Sequence, residues 1–295
     1  LSNQPEKTPT PEPGTRQAEQ THAAAGGDVD VIAISPDPAL AEGILENAKP
    51  EDIFDADIHA KAQNLISRYP QSRSALLPLL HLVQSVQGYV SQEGISFCAS
   101  QLDLSDAEVS AVATFYTMYK RRPCGEHLVS VCTNTLCAAM GGDAIYKKLQ
   151  THLGSDEKPL GHNETAGTPN EPGSITLEHA ECLAACDLAP VIQVNYEFFD
   201  NQTEDKAVAL VDALQAGKKP APTRGAPLTN FKGAELQLAG FFPEDAQQYR
   251  TDVDGPSQAV ETLRGAQVAQ DRGWTAPALK DVPLPAVPSK TGEKK

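Results

Sequence analysis

Residues 131–142 read VCTNTLCAAMGG, and residues 181–190 read ECLAACDLAP. The first stretch closes an alternating apolar run, HLVSVC at 127–132. The second follows another, SITLEHAEC at 174–182. Alternation of this kind predicts two half-buried strands, each ending at a cysteine loop. In a sheet whose parallel strands end on the same edge, both loops converge there. Cys132, Cys137, Cys182 and Cys186 then form one group of two pairs, spaced C-x4-C and C-x3-C.

Several chemistries use grouped thiols. Structural zinc takes tight knuckles of two to four intervening residues, so these spacings are permitted but not typical of it. A thioredoxin-type redox centre needs C-x-x-C at a helix start, and neither pair has it. A binuclear iron–sulfur cluster needs four thiolates, two per iron, and two chelating pairs supply that set. The plant-type ferredoxin spacing differs, since it places three ligands in one loop. The neighbours here suit a cluster. Thr133, Asn134 and Thr135 offer short polar groups toward sulfur, and Ala138, Ala139, Gly141, Gly142, Ala184 and Ala185 let backbone come close. Pro190 helps to fix the second loop.

Outward from the cysteines, DAIYKKLQTHL at 143–153 reads as a helix stopped by Gly154, and residues 155–174 read as a polar loop. PVIQVNYEFFD at 190–200 reads as a strand pair turning near Asn195, and KAVALVDALQAG as a helix ending at Gly217. Upstream, SALLPLLHLVQSVQG places Leu76, Leu79, Leu80, Val83 and Val86 on one helical face, with Gly88 as the stop. Pro78 is compatible with that helix, because first-turn amides have no intrahelical partner to lose. A further helix covers 91–102. Ser105 to Glu108, SDAE, reads as a capping box for the next one.

The expected architecture is α+β, with an α/β-type second half. Residues 1–57 form a disordered, acidic extension and 58–122 a helical bundle. Residues 123–217 form a sandwich of sheet and helices, and 218–295 an extended, Pro-rich tail with a short helix within 256–273. Twenty-three prolines and 21 glycines fit such long termini. Between residues 28 and 57 nine acidic residues face only Lys49, as expected of a solvated segment.

The formal net charge of −15 argues against nucleic acid and anionic lipid as partners. No apolar run is long enough to span a bilayer. The first 30 residues lack a basic start followed by an apolar core, so no secretory signal is expected, and six cysteines then point to thiolate chemistry in a reducing compartment. No G-x-G-x-x-G or P-loop stands in the sequence, so no nucleotide site of its own is expected. Cys98 is expected in the core and Cys124 as a free thiol. His81 and His127 have no ligand spacing and are read as structural. The aromatic run ATFYTMY at 113–119 reads mainly as packing.

Taken together, RYPQSRSALLPLLHLVQSVQGYVS, VATFYTMY, VCTNTLCAAMGG and ECLAACDLAPVIQVNYEFFDN resemble the 24-kilodalton-type, or E-type, [2Fe–2S] subunit family of NADH–quinone oxidoreductase, respiratory complex I. The resemblance is drawn over roughly residues 50–217. It implies a thioredoxin-like [2Fe–2S] ferredoxin domain with one cluster on Cys132, Cys137, Cys182 and Cys186. It also implies single-electron exchange with FMN in a neighbouring F-type subunit, which binds and oxidises NADH, and contact with the iron–sulfur G-type subunit. The location implied is peripheral, on the cytoplasmic side of the bacterial inner membrane. The family leads to an expectation of glycine near Ala184. Related diaphorase subunits of soluble NAD-linked hydrogenases and formate dehydrogenases share the pattern and remain open. A zinc-stabilised interaction module and a thiol–disulfide enzyme are the rivals of other classes.

Overall fold

The computed structural model describes residues 53–243 and 260–275. The N-terminal extension and most of its acidic run lie outside them. Its end does not: Asp55 caps helix α1 (Ala56–Ser67) by accepting the Ile58 amide at 3.0 Å, and Asp57 pairs with Lys61 one turn on. A short 3-10 turn leads into α2 (Leu76–Gln87), with Pro78 in its first turn and left-handed Gly88 closing it. Next come α3 (Gln92–Leu102), capped by Ser91, and α4 (Asp106–Phe115). The Ser105–Glu108 capping box is formed in both directions. The helices close over Phe54, Leu65, Leu79, Leu80, Leu82, Ile95 and Leu102, with Cys98 fully buried among them.

The second layer is a five-stranded sheet in the order β2-β3-β1-β4-β5. Its strands are β1 (His127–Cys132), β2 (Glu164–Ala166), β3 (Ile175–Ala180), β4 (Ile192–Val194) and β5 (Glu197–Phe199). Only β1 and β3 run parallel, in register from His127↔Ile175 to Cys132↔Ala180. The other pairings are antiparallel. Helices α5 (Thr135–Ala139), α6 (Gly142–Leu153) and α7 (Glu204–Gln215) complete the fold on this side.

Side chains alternate across a strand, so β1 sends Val129 and Val131 into a core with Ile145 and Leu149 of α6 and Val211 and Leu214 of α7. Its opposite face carries Leu128, which packs with Cys124 and Phe231, and Ser130, whose hydroxyl donates to Glu178 at 2.6 Å. Glu178 also pairs with the buried Lys120.

The structure departs from the sequence reading in three places, the first being α5, which stands inside the stretch read as a cysteine loop. Strand β2 lies inside the stretch read as a polar loop. Three residues, Glu-Thr-Ala, carry no apolar alternation; they pair with β3 through backbone and through Thr165 and Thr176, whose hydroxyls lie 2.6 Å apart. Beyond residue 218, the supposed tail contains helix α8 (Phe231–Leu238), which packs against α2. Helix α9 (Val260–Asp271) falls in the stretch where a short helix was expected.

Helix α8 owes its place to a polar key. Glu235 is fully buried; its carboxylate lies 2.6 Å from His81 Nδ1 on α2 and accepts the Tyr196 hydroxyl at 2.7 Å. Tyr196 and Asn195 both adopt left-handed conformations at the β4–β5 turn. A two-residue hairpin of this twist requires positive φ at both positions, which Asn tolerates and Tyr disfavours. The cost at Tyr196 is offset by its bond to Glu235 and by ring packing against Phe231. Asn195 does equal work beside it, accepting the Leu128 amide at 2.7 Å and donating to Thr229 O at 2.7 Å.

Candidate metal centre

The parallel pairing of β1 and β3 brings their C-terminal ends to one edge, as the strand endings predicted. Cys132 is the last residue of β1, and the Thr133 amide donates to Ala180 O at 3.0 Å, tying the first cysteine loop to the start of the second. Asn134 extends the tie through its side-chain amide, which donates to Glu181 at 2.7 Å. Cys137 then sits on the short helix α5. On the other side, the Cys132 amide donates to Val191 O at 3.1 Å, which anchors the loop beyond Cys186. The Ala189–Pro190 peptide there is cis.

All four thiols meet at this edge. Cys132 and Cys137 are buried with Ala185, Ala189 and Val191, whereas Cys182 and Cys186 are exposed. The Cys182 and Cys186 sulfurs lie 3.5 Å apart. Two sulfurs on one tetrahedral metal with bonds of about 2.3 Å stand about 3.8 Å apart, so this pair is already close to chelating distance.

Burial pushes the Cys137 thiol up to about 11, with its hydrogen bond to Cys132 and the neighbouring charges of Cys132 and Cys186 adding to the rise. Cys186 is raised by its hydrogen bond to Cys182 and by Cys182 and Cys132 nearby. Thiols crowded in this way oppose one another's ionisation, and bound metal ions reverse that penalty. Neither Cys137 nor Cys186 is the lowered thiol that a thiol–disulfide enzyme uses. Among the described residues no three His, Cys, Asp or Glu side chains are arranged to hold a single metal ion. The donor set comes as two pairs, and it fits a binuclear cluster.

Two backbone features shape the loops. Ala184 has φ +57°, the left-handed region that favours glycine, which accounts for glycine being expected there. Its amide donates to Cys182 Sγ at 3.4 Å, a contact that stabilises anionic sulfur. Gly142 opens α6 against the first loop: a Cβ there would stand 2.5 Å from Cys132 O and 2.9 Å from Cys137 O. Both obstructions are backbone, so a methyl group displaces the loop itself. We expect Gly142→Ala to cost about 1–3 kcal/mol in stability and to lower iron bound per molecule, measured by urea unfolding and metal analysis.

Thr133 and Asn134, expected to reach toward sulfur, turn instead to Ala180 O and Glu181 and hold the two loops together. Cys98 and Cys124 are buried away from the site, and burial pushes the Cys124 thiol up to about 12. His81 binds Glu235, and His127 lies 3.2 Å from Asn195 Nδ2, so both are structural. The aromatic run divides: Tyr119 is buried and donates to Leu77 O at 2.9 Å, while Phe115 is 77% exposed beside Tyr116. The sequence reading singled out neither Gly142 for its packing nor Arg224, which reaches Asp187 next to Cys186.

A profile of the thioredoxin-like [2Fe–2S] ferredoxin family matches residues 62–215, more than half of the sequence. The chain belongs to that family. The E subunit of NADH-quinone oxidoreductase from Mycobacterium tuberculosis is 50% identical over 242 residues, covering 82% of this chain and 90% of that protein. The E subunit from Rickettsia bellii is 33% identical, over 55% of this chain and 93% of its own. Flavoprotein 2 of the mitochondrial NADH dehydrogenase [ubiquinone] from Dictyostelium discoideum is 33% identical, over 59% and 67%.

The mycobacterial match of 242 residues is longer than the stretch 50–217. The likeness to that E subunit therefore runs past at least one end of that stretch, which corrects the bounds drawn from the sequence. A chain of an NAD+-reducing [NiFe]-hydrogenase shares 17% identity at a TM-score of 0.41, over 48% of this chain and 22% of its own. That likeness decides nothing about the parent assembly. As a member of its family the chain carries a [2Fe–2S] ferredoxin domain, and the paired thiols at one sheet edge are suited to it.

Proposed function

We propose that this protein is the electron-transfer E subunit of an NADH–quinone oxidoreductase, holding one [2Fe–2S] cluster on Cys132, Cys137, Cys182 and Cys186. The observation that carries the assignment is that β1 and β3 end together, with buried Cys132 and Cys137 at the edge where the Cys182 and Cys186 sulfurs lie 3.5 Å apart. Identity to E subunits over most of this chain and of the mycobacterial relative supports the parent complex.

When bound, the cluster supplies a site that takes up and gives back one electron at a time. The protein's own residues set the conditions. Cys132 and Cys137 would hold the cluster from the buried side, packed with Ala185, Ala189 and Val191, and Cys182 and Cys186 would hold it from the exposed side. The Ala184 amide donates to Cys182 sulfur. The Thr133 and Asn134 bonds keep the loops in one arrangement, so that little reorganisation accompanies a change of charge.

The electron donor in this proposal is FMN in a flavin-bearing F-type subunit that oxidises NADH, with the iron–sulfur G-type subunit as second neighbour. Leu136 and Met140 on and just after α5 support a docking face there: they lie beside Cys137 and are 46% and 54% exposed. Among the described residues no helix is long and apolar enough to cross a membrane. We place the protein peripherally, on the cytoplasmic side of the bacterial inner membrane. A cluster held by these cysteines would give the flavin's second electron a place to go, so Cys182→Ala in the assembled complex is expected to raise superoxide release during NADH oxidation several-fold. Unchanged superoxide in a fully assembled complex counts against the proposal.

A further inference from the structure

Residues 222–226, PTRGA, lie in the stretch to which the sequence assigned no chemistry. In the structure they run along the β4–β5 hairpin. The Thr223 amide donates to Phe198 O at 2.8 Å, the Phe198 amide to Arg224 O at 3.2 Å, and the Ala226 amide to the Glu197 carboxylate at 2.8 Å. Thr223 also accepts the Asp200 amide at 2.9 Å and donates its hydroxyl to the Asp200 carboxylate at 2.7 Å. The backbone of this stretch is therefore fixed on both sides of Arg224.

The Arg224 side chain is largely buried. Its guanidinium carbon sits 4.9 Å from the centre of the Phe198 ring. One nitrogen, Nη2, lies 2.7 Å from Asp200 Oδ1 and 3.4 Å from Asp187 Oδ1. Asp187 directly follows Cys186. Phe198 packs against the patch that contains Cys132, Cys137 and Ala185. A single cation thus touches the residue after the last thiol and the ring that lies against the buried pair.

We propose that Arg224 is a positioning residue for the metal centre: it holds the Cys182–Cys186 loop from outside and offsets the Asp187 carboxylate, so that the bound cluster is easier to reduce. The proposal rests on the reading that the four cysteines hold that cluster. A four-thiolate cluster gains negative charge on reduction, so a nearby cation favours the reduced form and a nearby carboxylate disfavours it. Asp200 is almost fully buried, so it fixes where the guanidinium stands. Asp187 is 38% exposed and is the carboxylate adjacent to the ligands. Arginine suits the task because its charge is permanent and its flat guanidinium reaches both carboxylates through Nη2 while its face rests on a ring.

The test is an electron paramagnetic resonance redox titration of the full-length protein carrying R224Q, D187N or both. R224Q is expected to lower the equilibrium constant for one-electron reduction at least about threefold, equal to about 28 mV at 59 mV per tenfold. D187N is expected to raise it by a similar factor, and the double variant to return near wild type. Wild-type potentials in both single variants, even with reduced loading, would show that Arg224 has only a structural role and overturn the proposal. If R224Q takes up no cluster, D187N alone decides, a raised potential supporting the proposal and an unmoved one overturning it. Wild-type protein without iron or sulfide sinks the cysteine assignment and this proposal with it, a result unlike an unshifted potential.

Discussion

Cys137→Ala is expected to leave the protein with about a tenth or less of the wild-type iron, while the helical layer keeps its structure. Of the four proposed ligands, Cys137 has the least freedom to be replaced. It is buried on a short helix beside Cys132, and neither of the two described cysteines outside the group can take its part: Cys98 lies in the helical core and Cys124 beside Leu128 and Phe231. Water does not reach its place easily, because Ala185, Ala189 and Val191 close over it. Metal binding at such a site is coupled to folding of its loops, so the variant should also lose protection of the 181–190 amides. Iron analysis with hydrogen exchange measures both. Cys98→Ala serves as the control and is expected to keep full iron.

The largest effect on stability is expected at Glu235→Ala, about 3 kcal/mol or more. The carboxylate is completely buried and is shared by His81 of α2 and Tyr196 of the hairpin. Its removal leaves two polar groups buried without that partner and opens a cavity between the helical layer and the sheet. Glu235→Gln keeps the shape and one acceptor, so a loss nearer 1 kcal/mol is expected. Urea unfolding of the three proteins gives the comparison. Equal stability of Glu235→Ala and wild type contradicts the view that α8 is keyed into the fold by this residue.

Glu235 also marks where the sequence stopped being legible. Helix α2 announces itself by Leu76, Leu79, Leu80 and Val83 at helical spacing, and α4 by its capping box, because both signals are local. Helix α8 buries Phe231, Ala234 and Glu235. With a carboxylate on the inward face, the apolar period is reduced to Phe231, Ala234 and Leu238 over two turns and is easily passed over. Strand β2 fails for a related reason: it is three residues held by hydrogen bonds and by Thr165 against Thr176, with no hydrophobic alternation.

The metal centre divides in the same manner. The four cysteines were legible from strand endings and spacing. The Ala184 amide contact to sulfur depends on a left-handed backbone, and spacing does not report backbone conformation. Gly142 was read as letting backbone come close to a cluster; that the backbone concerned is the cysteine loop under α6 is a tertiary fact. Arg224 reaches Asp187 and Asp200 across 37 and 24 residues, a distance at which no local pattern speaks.

Whether these four thiols carry a binuclear cluster is tested most directly by anaerobic purification of the full-length protein, with iron, sulfide and zinc analysis and electron paramagnetic resonance before and after dithionite. Two irons and two sulfides per molecule, with a signal that appears only on reduction, are the predicted result. One zinc per molecule, no sulfide and no signal would contradict it, and would make the paired cysteines a structural staple.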